Sequence, residues 1–96
     1  MRRWIAVLAL VPAVAWGDCR SGEAMDRFYR VAEGIVDAKR RGVPERTVRQ
    51  EMMARYQGLD RRVFVSGVRT AYRFDDDVSA GHVAESMQAE CVIATR

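Results

Sequence analysis

Residues 60–74 read DRRVFVSGVRTAYRF, and the period assigned to them decides the fold class. On a 3.6-residue period, Phe64, Gly67, Val68, Ala71 and Tyr72 share one side. On a two-residue period, Val63, Val65 and Gly67 alternate, and Val63, Phe64, Val65 and Val68 all favour strands. No second stretch is available to pair with such a strand. A helix capped by Asp60 is therefore the preferred expectation, with a strand over residues 61–74 as the open alternative.

The flanking segments carry the helical period more plainly. In the first, Met25, Phe28, Tyr29, Ala32, Ile35 and Val36 recur at spacings of three and four. Ser21 suits its N-cap, and Gly42 suits a stop just before Pro44. Pro44 and Glu45 suit the first turn of a second helix. Its stripe is Val48, Met52 and Tyr56 with Met53 adjacent, and Gly58 closes it. A fourth segment opens near Ser79 and carries Val83, Met87, Cys91 and Ala94. The expected fold is all-α, a small bundle of three to four short helices. Charge order agrees: Glu23–Arg27, Asp26–Arg30, Asp37–Arg41, Glu45–Arg49 and Glu51–Arg55 are acid-then-base at i,i+4. That orientation supports a helix by a few tenths of a kcal/mol per pair, and it reads these five arginines as solvated faces.

Residues 1–17 read as a signal peptide ahead of a single helical domain at 18–96. Arg2 and Arg3 precede an apolar run from Ile5 to Val14, and small-residue exits place cleavage after Ala15 or Gly17. The run is shorter than the roughly 20 residues of a spanning helix, so no stable membrane insertion is expected after cleavage. Asp18 before Cys19 does not fit a lipoprotein signal, so the protein is expected to be periplasmic or secreted. The 96-residue chain has a formal charge of +3; the leader takes two of sixteen basic residues and none of the thirteen acids, leaving +1. Leu, Ile, Val and Phe then number sixteen, few for so small a core, and such domains commonly carry a covalent staple. Cys19 and Cys91 are the only cysteines and, in an oxidising compartment, are expected to form it.

The remaining charge is unevenly placed. Residues 19–74 carry a net +6 and residues 75–96 a net −4. Arg62, Arg69 and Arg73 lie on one face of the third segment, so the acidic run at Asp75, Asp76 and Asp77 and the last helix are expected to fold back on them. The functional counterpart is that Arg62, Arg69, Arg73 and Tyr72 face a partner. Nucleic acid is not expected, because no basic motif interleaved with aromatics is present. His82 stands alone, and neither Ser66, Ser79 nor Ser86 sits in a nucleophile motif, so no enzyme is expected. The aspartate run lacks the alternating ligands of a calcium loop, and neither metal nor cofactor is expected. Met25, Met52, Met53 and Met87 are read chiefly as core. One of Tyr29, Tyr72 and Phe74 is expected to reach the surface.

In its order of features the chain resembles small exported proteobacterial helical proteins of unknown function. The shared features are the leader, the early Cys19, Ala-Lys-Arg-Arg-Gly-Val-Pro at 38–44, Val-Arg-Thr-Ala-Tyr at 68–72, and Cys91 near the end. That resemblance implies no assigned activity. The leading expectation is a non-catalytic periplasmic or secreted protein that acts by binding another protein. The alternatives are a periplasmic acid-stress chaperone, since acid would leave fourteen basic charges unopposed, and an immunity or inhibitor protein against a secreted effector.

Overall fold

The computed structural model of the protein describes residues 18–74 and 77–96. The expected leader at 1–17 lies outside the described residues, as do Asp75 and Asp76. Four helices, and no strand, are present among the described residues: α1 (Gly22–Arg40), α2 (Glu45–Arg55), α3 (Gly58–Arg73) and α4 (Ala80–Ala94). The fold is the small all-α bundle expected from periodicity. Residues 61–73 join it as helix, with Phe74 as the extended cap, because packing outweighs propensity. Val63, Phe64 and Val68 are at most 1% exposed. Burying such a side chain contributes about 1.5–3 kcal/mol, against a few tenths for placing a β-branched residue in a helix.

The helix ends follow local chemistry. The Ser21 hydroxyl accepts the Ala24 N–H at 3.0 Å and starts α1. Gly42, at φ 82°, ends it. The N–H of Gly42 donates to the Lys39 carbonyl and that of Val43 to the Ala38 carbonyl, both at 3.0 Å, the double closure that left-handed glycine permits. Pro44 stands one position earlier than expected, just outside α2, with Glu45 as the first helical residue. The next junction also shifts. Gly58, at φ 60°, reverses the chain, so α2 stops at Arg55 and α3 begins two residues ahead of Asp60. Asp60 lies in the first turn of α3 instead of capping it, still close to the positive end of the helix. The Ser79 hydroxyl accepts the His82 N–H at 3.1 Å and starts α4.

Phe28, Val31 and Ile35 of α1, Val48 and Met52 of α2, Phe64 of α3 and Val83 and Met87 of α4 fill the centre. Tyr56 sets its ring edge-on to Phe64, with centroids 4.6 Å apart. Helix α4 packs on both α3 and α1. Its approach to α3 is close: a Cβ added at Gly67 would overlap the end of the buried Met87 side chain. The hydroxyls of Thr70 and Ser86 also meet across this contact at 2.6 Å. Cys19 and Cys91 form the expected disulfide, tying the entry of α1 to the last turns of α4 with their Cα atoms 5.9 Å apart.

Long side chains close the remaining ends. Lys39 Nζ donates to the carbonyls of Ala71 at 2.7 Å and Phe74 at 2.6 Å, where α3 stops. Arg61 does the same for α2, donating to the carbonyls of Tyr56 at 2.9 Å and Met53 at 2.7 Å. A cation at a helix C-terminus satisfies free carbonyls and meets the negative end of the helix dipole. Four of the five expected i,i+4 pairs form: Asp26–Arg30, Asp37–Arg41, Glu45–Arg49 and Glu51–Arg55. Arg27 departs from the expected solvated face and is 9% exposed. It lies between Ala24 and Val31 in the buried stripe of α1, and desolvation lowers its pKa against the opposing pull of Asp60 and Glu23.

Candidate functional site

An arginine-rich concavity lies where α2, α3 and the end of α4 meet. Arg49 and Met53 project from α2, one turn apart. Arg61, Arg62, Val65, Ser66 and Arg69 come from α3, and Glu90 from α4. The open cleft has a volume of about 540 Å³, within the range of ligand-binding clefts. Four arginines therefore border a space with one acid, and its apolar contribution is Val65 and the 44% exposed Met53.

The four arginines are not equivalent. Arg61 is committed to the end of α2 through its two carbonyl acceptors. Arg49 pairs with Glu45 at 3.3 Å. Arg62 Nε donates to Glu90 Oε2 at 2.6 Å. Arg69 is exposed and makes no ion pair among the described residues. Neither Arg61 nor Arg69 has an internal carboxylate, but Arg61 is held by two carbonyls and the Arg69 side chain by no hydrogen bond among the described residues.

Of the partner-facing residues expected from sequence, Arg62 and Arg69 meet in this cleft. Arg73 is exposed at the last turn of α3, beyond the cleft lining. Tyr72 is outside the cleft lining and already engaged: its hydroxyl donates to the Val43 carbonyl at 2.6 Å, tying α3 to the α1–α2 turn. Burial raises its pKa to about 12. The aromatics that reach the surface are Tyr29, at 45% exposure, and Phe74, at 43%. The expected fold-back of acid on α3 is made by Glu90, whereas Asp77 crosses to α1. Its two carboxylate oxygens accept from Arg40 at 2.9 and 3.0 Å.

Arg49, Met53 and Glu90 are cleft residues that the sequence pattern does not assign to a partner-facing site: Arg49 reads as a solvated face and Met53 chiefly as core, whereas Met53 is 44% exposed. A signal was present for all three. Arg49 and Met53 each follow a buried member of the α2 stripe, Val48 and Met52, and so sit at its margin. Glu90 precedes Cys91 in the same way on α4.

A second concavity, of about 590 Å³, lies between α1 and the start of α4, bordered by Tyr29, Glu33, Asp37, Arg40, Ser79 and Ala80 among others. His82 is exposed beside it, its ring edge-on to Phe74 with centroids 5.8 Å apart. Ser79 and Ser86 are engaged in the α4 cap and the α3–α4 contact, and Ser66 lies in the arginine cleft. Among the described residues no cluster of three or more His, Cys, Asp or Glu side chains is placed to hold a metal, and no helix is long and apolar enough to cross a membrane. Comparison of the chain with protein-family models, with curated proteins and with solved structures finds no match.

Proposed function

We propose that the protein is a non-catalytic exported module that acts by binding another protein through the arginine cleft between α2 and α3. The observation that carries this reading is the charge imbalance of the cleft: four arginines and an exposed Met53 around a single acid, Glu90. Arginine and methionine are both enriched at protein interfaces. The pattern of residues 1–17 and the Cys19–Cys91 bridge support export to the periplasm or beyond. An immunity or inhibitor role is a special case, in which the partner is a secreted effector. The acid-stress alternative draws support from ion pairs between sequence-distant residues such as Arg40–Asp77 and Arg62–Glu90, since protonating the acids would loosen them. Against it, Met52 and Met87 are fully buried at the centre of the bundle, which leaves little methionine for a client surface.

A photo-reactive amino acid in place of Met53 tests the cleft, with the same label in place of the 53% exposed Ile93 as control. Irradiation in intact cells is expected to give a discrete protein adduct from position 53 that disappears with Arg69→Glu, and none from position 93. Equal adducts from both positions, or an adduct indifferent to Arg69, would remove the cleft from the account.

A further inference from the structure

We infer that the occupant of the arginine cleft is an amphipathic helix of the partner, carrying two carboxylates seven residues apart with an apolar side chain between them. This inference rests on the cleft being the contact surface and names what it recognises. Three observations carry it. First, the cleft already seats a carboxylate presented from a helix: Glu90, on α4, meets Arg62 on α3 at 2.6 Å. Second, Arg62 and Arg69 are seven residues apart on one helix, hence within about 20° of the same face and about 10.5 Å apart along the axis. Third, Val65 lies between them on α3 and the exposed Met53 lies across on α2, so the cationic ends bracket an apolar middle.

The spacing selects the backbone of the ligand. In an extended chain, side chains on one face repeat at about 6.7 Å and then at about 13 Å, and neither matches 10.5 Å. In a helix, positions i and i+7 share a face at the required separation, with i+3 or i+4 between them. The partner helix thus places its first acid near Arg69, which has no internal carboxylate. Its second acid shares or displaces the Glu90 contact at Arg62. A helix laid in a groove between two helices is a recurrent mode of recognition, here with charge complementarity fixing the register.

The test uses the disulfide-intact protein as processed by the cell and fluorescein-labelled alanine-based helical peptides. The first peptide has two Glu seven apart with Leu at the intermediate position, and the second has the same composition with the Glu five apart. Fluorescence anisotropy is expected to show the first binding at least tenfold tighter, with affinity falling as salt rises. Arg69→Glu is expected to lose that advantage while keeping the helical circular dichroism and melting of the parent. A peptide with Lys in place of the Glu that meets position 69 is expected to recover binding to the Arg69→Glu protein. Equal affinity for the two spacings overturns the inference, as does binding to phosphatidylglycerol vesicles that depends on Arg69 with no peptide bound. If the spacing preference fails while the Met53-position adduct still depends on Arg69, the cleft stands and its occupant is not this helix. If the adduct also fails, the underlying reading falls with it.

Discussion

The cleft between α2 and α3 and the groove between α1 and α4 are nearly equal in volume, about 540 and 590 Å³, and opposite in what their charges do. In the groove, Arg40 is held by Asp77 through two hydrogen bonds, and Asp37 is held by Arg41. Both of these pairs join one part of the chain to another, while Glu33 on the same border is exposed and makes no ion pair among the described residues. In the cleft, Arg62 is matched by Glu90, but Arg69 is matched by nothing among the described residues. Size does not distinguish a contact surface from a crevice between helices. The sign and number of the charges do: among the described residues, four arginines face one acid in the cleft, with the cation Arg69 unpaired, whereas the unpaired charge of the groove is the anion Glu33.

The largest effect that bears on this contrast comes from the disulfide. It closes a sequence separation of 72 residues and fixes α1 against α4, the two walls of the groove. Replacing both Cys19 and Cys91 by Ala is expected to cost roughly 4 kcal/mol in denaturant unfolding, by the loss of loop-closure entropy from the unfolded chain. The cleft is built mainly on the α2–α3 pairing, so peptide binding is expected to survive in the fraction that remains folded. A loss below about 1 kcal/mol would mean that packing alone positions α1 and α4.

A smaller effect separates the fixed from the available residues on α3. Tyr72→Phe removes a hydrogen bond to the Val43 carbonyl and is expected to cost about 1–2 kcal/mol with no change in cleft binding. The same hydroxyl adds a pH signature. Its pKa is raised to about 12 in the folded protein, against about 10 for a free tyrosine. Folding therefore favours the protonated form. The contribution is complete below pH 10 or so and is lost as pH rises through about 12. Thermal melting of the Tyr72→Phe variant is expected to fall less steeply across that window. Some slope persists, because burial also raises the pKa of Tyr56. An unchanged slope would detach Tyr72 from the α1–α2 turn.

The smallest effect lies in the groove. Asp77 has its pKa lowered by the hydrogen bond from Arg40, so the pair contributes above the ordinary aspartate range and is lost as pH falls through the lower folded value. Both side chains are well solvated. Asp77→Asn is expected to leave the melting temperature at pH 7 nearly unchanged and to flatten its decline below about pH 4. A drop as large as that of Tyr72→Phe would make the groove pair a structural clamp.

Much of the fold was legible because periodicity, caps and charge order agreed. Ser21, Gly42 and Ser79 act where their chemistry places them, and four i,i+4 pairs form. Residues 61–74 were ambiguous for a physical reason: three β-favouring residues in a row carry a local preference that only burial against α1, α2 and α4 reverses. Arg27 reads as solvated because an i,i+4 pairing rule sees its charge, whereas its place in the apolar stripe buries its three-methylene stem. Both the junction at Gly58 and the α2 contribution to the cleft depend on how two helices meet. No single-segment pattern encodes that. On α3 alone, the seven-residue spacing of Arg62 and Arg69 was visible, but not that the Tyr72 hydroxyl is taken up by the Val43 carbonyl.

Fifteen arginines and one lysine make Lys39 the only primary amine on a side chain. In the folded protein that amine is seated on the carbonyls of Ala71 and Phe74. Acylating reagents that spare guanidinium groups thus find one side-chain amine, giving one stable side-chain amide, and that amine is engaged for as long as the end of α3 holds its place. Lys39 is consequently a native chemical gauge. Its rate of acylation, compared with that of the terminal amine in the same molecule, reports how often the α3 terminus lets go, with no label added and no residue changed.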